Sequence, residues 1–178
     1  MKWQFGLKQF RESRGLTQLQ PNYLDMMAEE YDNEYYNAVQ TKDWDEQVDA
    51  VCDMLVLTEN CIQQTHPLVP DYERTGVTVN SPVIANLLEE YIPTATARNL
   101  DILYAISDQC ELMLRDLGVV PQLAMKACVK YINSRRQDPA QAAEWQADPS
   151  LVGTTKWLKD KSQVLEKPNY KLCKDKLV

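Results

Sequence analysis

The chain has 178 residues, 44% hydrophobic and 25% charged, which is long enough for one domain with a real core. Its net charge of −7 argues against nucleic acid as a bulk electrostatic partner. Five Cys without a C-x-x-C pair and a single His leave no zinc signature and point to a reducing compartment, the cytoplasm. No run approaches the roughly 18 apolar residues of a membrane span, and no signal peptide is expected at the start.

In residues 1–20, Phe5, Leu7 and Phe10 are spaced to pack a short helix that also carries Lys2, Lys8, Arg11 and Arg14. Gly15 and Pro21 punctuate its end and the start of the next element. A helix over about 22–40 follows, with Tyr23, Leu24, Met27, Tyr31, Tyr35, Ala38 and Val39 as its apolar face. Glu30 sits at the edge of that face and Glu34 lies inside it. A carboxylate facing a core needs a partner, because burying a lone charge is expensive.

A second helix spans about 43–64. Trp44, Val48, Val51, Cys52, Leu55 and Ile62 form its core stripe. Glu46, Asp49, Asp53 and Asn60 share another arc of roughly 60°. Stacked acids repel one another, and no Lys or Arg between Asp43 and Gln64 answers them within the helix. Two consecutive helices with inward carboxylates call for cations between them. Oxygen ligands without His or Cys suit Mg²⁺ or Mn²⁺. The plain alternative is a pair of solvated acidic faces.

Pro67 and Pro70 stop the second helix, and 65–82 reads as a loop. Ser81-Pro82 can cap a short helix over 82–91, within an insertion of about 65–96 that forms a lid or an interface. A long helix from Thr96 or Ala97 carries Leu100, Leu103, Tyr104, Ile106, Cys110, Met113, Leu114 and Leu117, and Gly118 caps it. Asp101 and Asp108 on this helix read as a solvated face. Pro121 opens a further helix whose end gathers Lys130, Asn133 and Arg135. Such an end suits phosphates, and equally suits a helix C-terminus through its macrodipole. The tail from 137 to 178 reads as irregular and basic, with Lys159, Lys167 and Tyr170. The expected fold is all-α: a bundle of four to five main helices in one domain, with its core at 20–136.

Glu29-Glu30-x-x-x-Glu34 followed by Glu46-x-x-Asp49-Ala50-x-x-Asp53 resembles the all-α nucleoside triphosphate pyrophosphohydrolases. These are the MazG and phosphoribosyl-ATP pyrophosphohydrolase superfamily, and bacteriophage members look most similar. Glu34 stands one residue later than the third glutamate of that pattern, where this chain has Asn33. The resemblance implies a Mg²⁺-dependent enzyme that cleaves a (deoxy)nucleoside triphosphate to the monophosphate and pyrophosphate. It implies Glu29 as catalytic base and Glu30, Glu34, Glu46, Asp49 and Asp53 as metal ligands. It implies Lys130, Asn133, Arg135, Lys159, Lys167 and Tyr170 as substrate contacts. It also implies a homodimer or homotetramer, in the host cytoplasm if phage-encoded. The alternative is a non-catalytic helical protein that binds metal or nucleotide for regulation.

Overall fold

The computed structural model describes residues 2–16, 23–65, 84, 86–87, 97–148 and 159–175. The fold is all-α. Helix α1 is Trp3–Glu12, α2 is Tyr23–Glu29, α3 is Tyr36–Thr41 and α4 is Trp44–Thr65. Helix α5 is Ala97–Asp116, α6 is Pro121–Ser134 and α7 is Pro139–Ala147. A π-helical segment, Glu30–Tyr35, joins α2 to α3 without a break, and a 3₁₀ turn, Tyr170–Cys173, closes the tail.

Helix α4 is the axis of the molecule. Of the expected core stripe, Val48, Val51, Cys52, Leu55 and Ile62 are buried and Trp44 is half-buried against the core. Met54, Leu57 and Cys61 are buried as well, because α4 packs against α5, the π segment, α6 and α1 on different sides. Helix α5 contributes Ile102, Leu103, Ile106, Cys110 and Leu114, and α6 contributes Ala124, Met125, Cys128, Val129 and Ile132. Each such Val, Leu, Ile or Met side chain stabilises the fold by about 1.5–3 kcal/mol when taken out of water. All five cysteines are free and buried, acting as small hydrophobes.

The chain between these elements is fixed by local chemistry. Lys42 adopts a left-handed conformation at φ 58° to end α3, and Asp43 Oδ1 accepts from Glu46 N at 3.2 Å to start α4. Gly118, at φ 74°, ends α5 as its position requires. Helix α1 lies close on α6 at Gly6, where a Cβ atom would meet Val129 Cγ1 at 2.6 Å.

Two expectations need correction. The helix expected over 22–40 is helical throughout but not α throughout, because its middle is a π turn. The tail is not irregular from 137 onward. Asp138 accepts from Ala140 N at 2.8 Å and from Gln141 N at 3.3 Å, and Pro139 takes the first helical position, so α7 forms. The expected insertion at about 65–96 lies outside the described residues, apart from Thr65 and the helical positions Ile84, Asn86 and Leu87. No described helix is long and apolar enough to cross a membrane.

Candidate functional site

The stripe Glu46, Asp49, Asp53 and Asn60 faces a single cavity of about 680 Å³. Helical spacing alone aligns these four side chains on one side of α4. Glu30 and Glu34 reach the same cavity from the π segment. Two helices therefore bring five carboxylates to one space. Arg135 from the end of α6, with Lys159, Lys161 and Lys167 from the tail, supplies the opposing charge on its wall.

Glu34 takes part from within the π turn. Its i→i+5 bonding fits about one residue more into each turn than an α-helix does. Residues four apart still lie on nearly the same side, as they do in an α-helix. The Tyr31 and Tyr35 rings accordingly stack at 6.1 Å with planes 11° apart. Glu30 and Glu34 have the same four-residue spacing and both line the cavity. The one-residue delay of Glu34 relative to the resembled pattern falls inside this turn. Glu34 is open to solvent within the cavity rather than enclosed by the core, which corrects its expected placement.

The electrostatics are uneven. Asp53 is pushed up to about 6, mainly by burial and then by the charges of Asp49 and Glu34, against the opposing pull of Arg135 and Lys159. Cys128 Sγ donates to Asp53 Oδ1 at 3.8 Å, a weak bond. The outer acids are met by the tail. Lys167 Nζ lies 2.5 Å from Glu46 Oε1 and 3.7 Å from Asp49 Oδ2. Its ammonium is pushed up from the ordinary lysine value, first by its hydrogen bond to Glu46. Tyr170 Oη donates to Asp49 Oδ1 at 2.6 Å, and burial pushes this phenol up.

The tail is held in place at several points. Residues Gln137 and Lys159 form an antiparallel bridge, and Asp160 N donates to Arg136 O at 2.8 Å. Gln163 Nε2 donates to Ser134 O at 2.9 Å. At the far end Val120 N donates to Cys173 O at 2.9 Å. Between these anchors the segment crosses α4. Lys167 and Tyr170 border a second cavity of about 330 Å³ beside Asp45, Glu46 and Asp49.

Of the expected site residues, Glu30, Glu34, Glu46, Asp49, Asp53, Arg135, Lys159 and Lys167 converge on the large cavity, with Tyr170 adjoining through Asp49. Three do not. Glu29 is exposed and lies off the cavity wall, because the winding that brings Glu30 inward turns its neighbour out. Lys130 is exposed on α6. Asn133 is spent on structure: its Nδ2 donates to Val129 O at 2.9 Å and Gly6 O at 3.2 Å, tying α6 to α1. Asp101 and Asp108 stay off the cavity wall, and both are half-buried rather than fully solvated.

Sequence reasoning missed the far end of the cavity, where Phe10, Arg11, Tyr23 and Asn60 meet. Arg11 is buried and donates to Gln63 Oε1, and Gln63 Nε2 in turn donates to Glu59 Oε1 at 2.7 Å. A signal was present for Asn60, which shares the acidic arc of α4. None was present for Arg11, whose basic neighbours are surface residues.

The donor set is chemically apt for a hard divalent cation: carboxylate oxygens, with no His on the cavity wall. The side chains as placed are not gathered to coordination distance. Among the described residues no group of three or more His, Cys, Asp or Glu is arranged to hold a metal ion. Glu46 and Asp49 are turned to Lys167 and Tyr170 instead. Comparisons with family models, curated proteins and solved structures find no match to this chain.

Proposed function

We propose that the protein is a Mg²⁺-dependent pyrophosphohydrolase that cleaves a (deoxy)nucleoside triphosphate to the monophosphate and pyrophosphate. One observation carries the reading: five carboxylates from two helices converge on one cavity whose wall also carries Arg135, Lys159, Lys161 and Lys167. Such a wall binds the oxygens of a polyphosphate. In this reading Glu30, Glu34, Glu46, Asp49 and Asp53 hold Mg²⁺, or Mn²⁺, once Glu46 and Asp49 turn from Lys167. When bound, the cation neutralises phosphate charge and polarises the phosphoryl oxygens. Arg135, Lys159 and Lys167 orient the triphosphate, and Tyr170 positions Asp49 by its hydrogen bond. A cavity carboxylate takes the proton of the attacking water. Glu29, exposed and off the cavity wall, does not reach that water from its position on α2.

The chain is further proposed to act in the cytoplasm as a homodimer or homotetramer. Tyr36, exposed on α3, is available for contact between copies. Sedimentation showing only a monomer would remove this part. A second reading is favoured by the pairing of Glu46 and Asp49 with Lys167 and Tyr170. In it the acidic face is satisfied by the tail, and the protein binds metal or nucleotide for regulation without turnover. Incubation with deoxynucleoside triphosphates and Mg²⁺ separates the two. Pyrophosphate release supports the enzyme, and its absence across the panel supports the regulator.

A further inference from the structure

The tail crosses α4 as a strap tied at both ends. Upstream, Asp160 N donates to Arg136 O at 2.8 Å and Gln163 Nε2 to Ser134 O at 2.9 Å. Downstream, Tyr170 is buried and Val120 N donates to Cys173 O. Between these ties, residues 164–168 make no backbone–backbone hydrogen bond among the described residues, and Val164 is 95% exposed. The polar hold of this span on α4 is the Lys167 ammonium, 2.5 Å from Glu46 Oε1 and 3.7 Å from Asp49 Oδ2.

Lys167 stands where a divalent cation would. Glu46, Asp49 and Lys167 line both cavities, so the ammonium lies where the two meet. Two cations cannot share the same carboxylate oxygens without strong like-charge repulsion. A half-exposed lysine pair is weak, so it yields to a divalent ion held by several carboxylates. The other tail contacts need not yield. Tyr170 Oη is a neutral donor to Asp49 Oδ1 at 2.6 Å and leaves Oδ2 to a cation. Lys171 Nζ pairs with Asp45 Oδ2 at 3.3 Å, and Asp45 borders the small cavity but not the large one. The span is therefore built to open at one residue while its ends stay tied.

We infer that residues 164–169 are an autoinhibitory strap: Lys167 closes Glu46 and Asp49 in the metal-free protein, and a divalent cation in the large cavity releases it, freeing the ammonium for an anionic ligand. This rests on the metal site of the proposed reading, and the test separates the two. The full chain is digested with a glutamate-specific protease, and cleavage after the exposed Glu166 is followed by mass spectrometry. Saturating Mg²⁺ speeds that cut severalfold, while cleavage after the exposed Glu144 on α7 keeps its rate. NaCl at equal ionic strength does not reproduce the effect. Glu46→Gln, which leaves the cleaved bond intact, is cut fast without Mg²⁺. Calorimetry measures Mg²⁺ binding on the same samples. Mg²⁺ that binds without speeding the cut, or that speeds both cuts alike, overturns the strap and leaves the metal site standing. So does an equal response to NaCl. Failure of Mg²⁺ to bind either the wild type or Lys167→Ala overturns both.

Discussion

Replacing Asp53 by Asn should stabilise the metal-free protein and disable it. The carboxyl is pushed from its ordinary 3.8 to about 6 in the folded chain. At each pH between these values the native state holds more protons than the unfolded state. Stability therefore falls as pH rises through this window, at up to about 1.4 kcal/mol per unit, and stays lowered above about 6. The shift of roughly two units corresponds to about 3 kcal/mol. Asn keeps the size and the acceptor facing Cys128 but carries no charge. At pH 7.5 in chelator the variant should melt about 6–12 °C above the wild type, the shift that this energy gives in a chain of this length. Near pH 4 the two should melt together. Calorimetry from pH 4 to 8 reads both, and Mg²⁺-dependent turnover should drop at least a hundredfold. Equal melting temperatures at pH 7.5, or a less stable variant, would show that Asp53 does not sit ionised among like charges.

Two other substitutions probe the tail and the packing. Lys167→Ala removes a half-exposed ion pair, so stability should change by less than about 1 kcal/mol. Mg²⁺ should bind severalfold more tightly, read by calorimetry, because Glu46 and Asp49 are freed. Weaker binding would mean that Lys167 does not compete for these acids. In an ordinary helix Gly6→Ala would stabilise. Here the new Cβ meets the stiff, β-branched Val129 at 2.6 Å, so a loss of about 1–3 kcal/mol by denaturant unfolding is expected, and a gain would disprove the close approach.

The periodicity of α4 was the most legible feature of this chain. It separated the buried Val48, Val51, Cys52, Leu55 and Ile62 from the arc of Glu46, Asp49, Asp53 and Asn60, and the two sets do face different surroundings. The π turn was not legible, because an i→i+5 bond pattern has no residue signature and Glu34 only looked displaced. The start of helix α7 was legible, since Asp138-Pro139 is an N-cap followed by Pro at the first position, but with only Gln141 and Trp145 buried it has no periodic apolar face to mark the rest. Asn133 and Arg135 sit two residues apart at one helix end, and residue type and spacing alone rank them equally. Arg135 lies over the Tyr131 ring at 4.5 Å on the cavity wall, and Asn133 is consumed by backbone oxygens. Only the packing of α1 on α6 decides between them.

The central claim is that carboxylates from two helices share one divalent cation. Mn²⁺ binding followed by electron paramagnetic resonance tests it most directly, with Mg²⁺ as competitor, on the wild type, Glu34→Gln and Asp49→Asn. The account predicts a Mg²⁺-displaceable site that weakens at least tenfold in each variant, although one residue lies on the π segment and the other on α4. Mn²⁺ affinity unchanged by either substitution would contradict it.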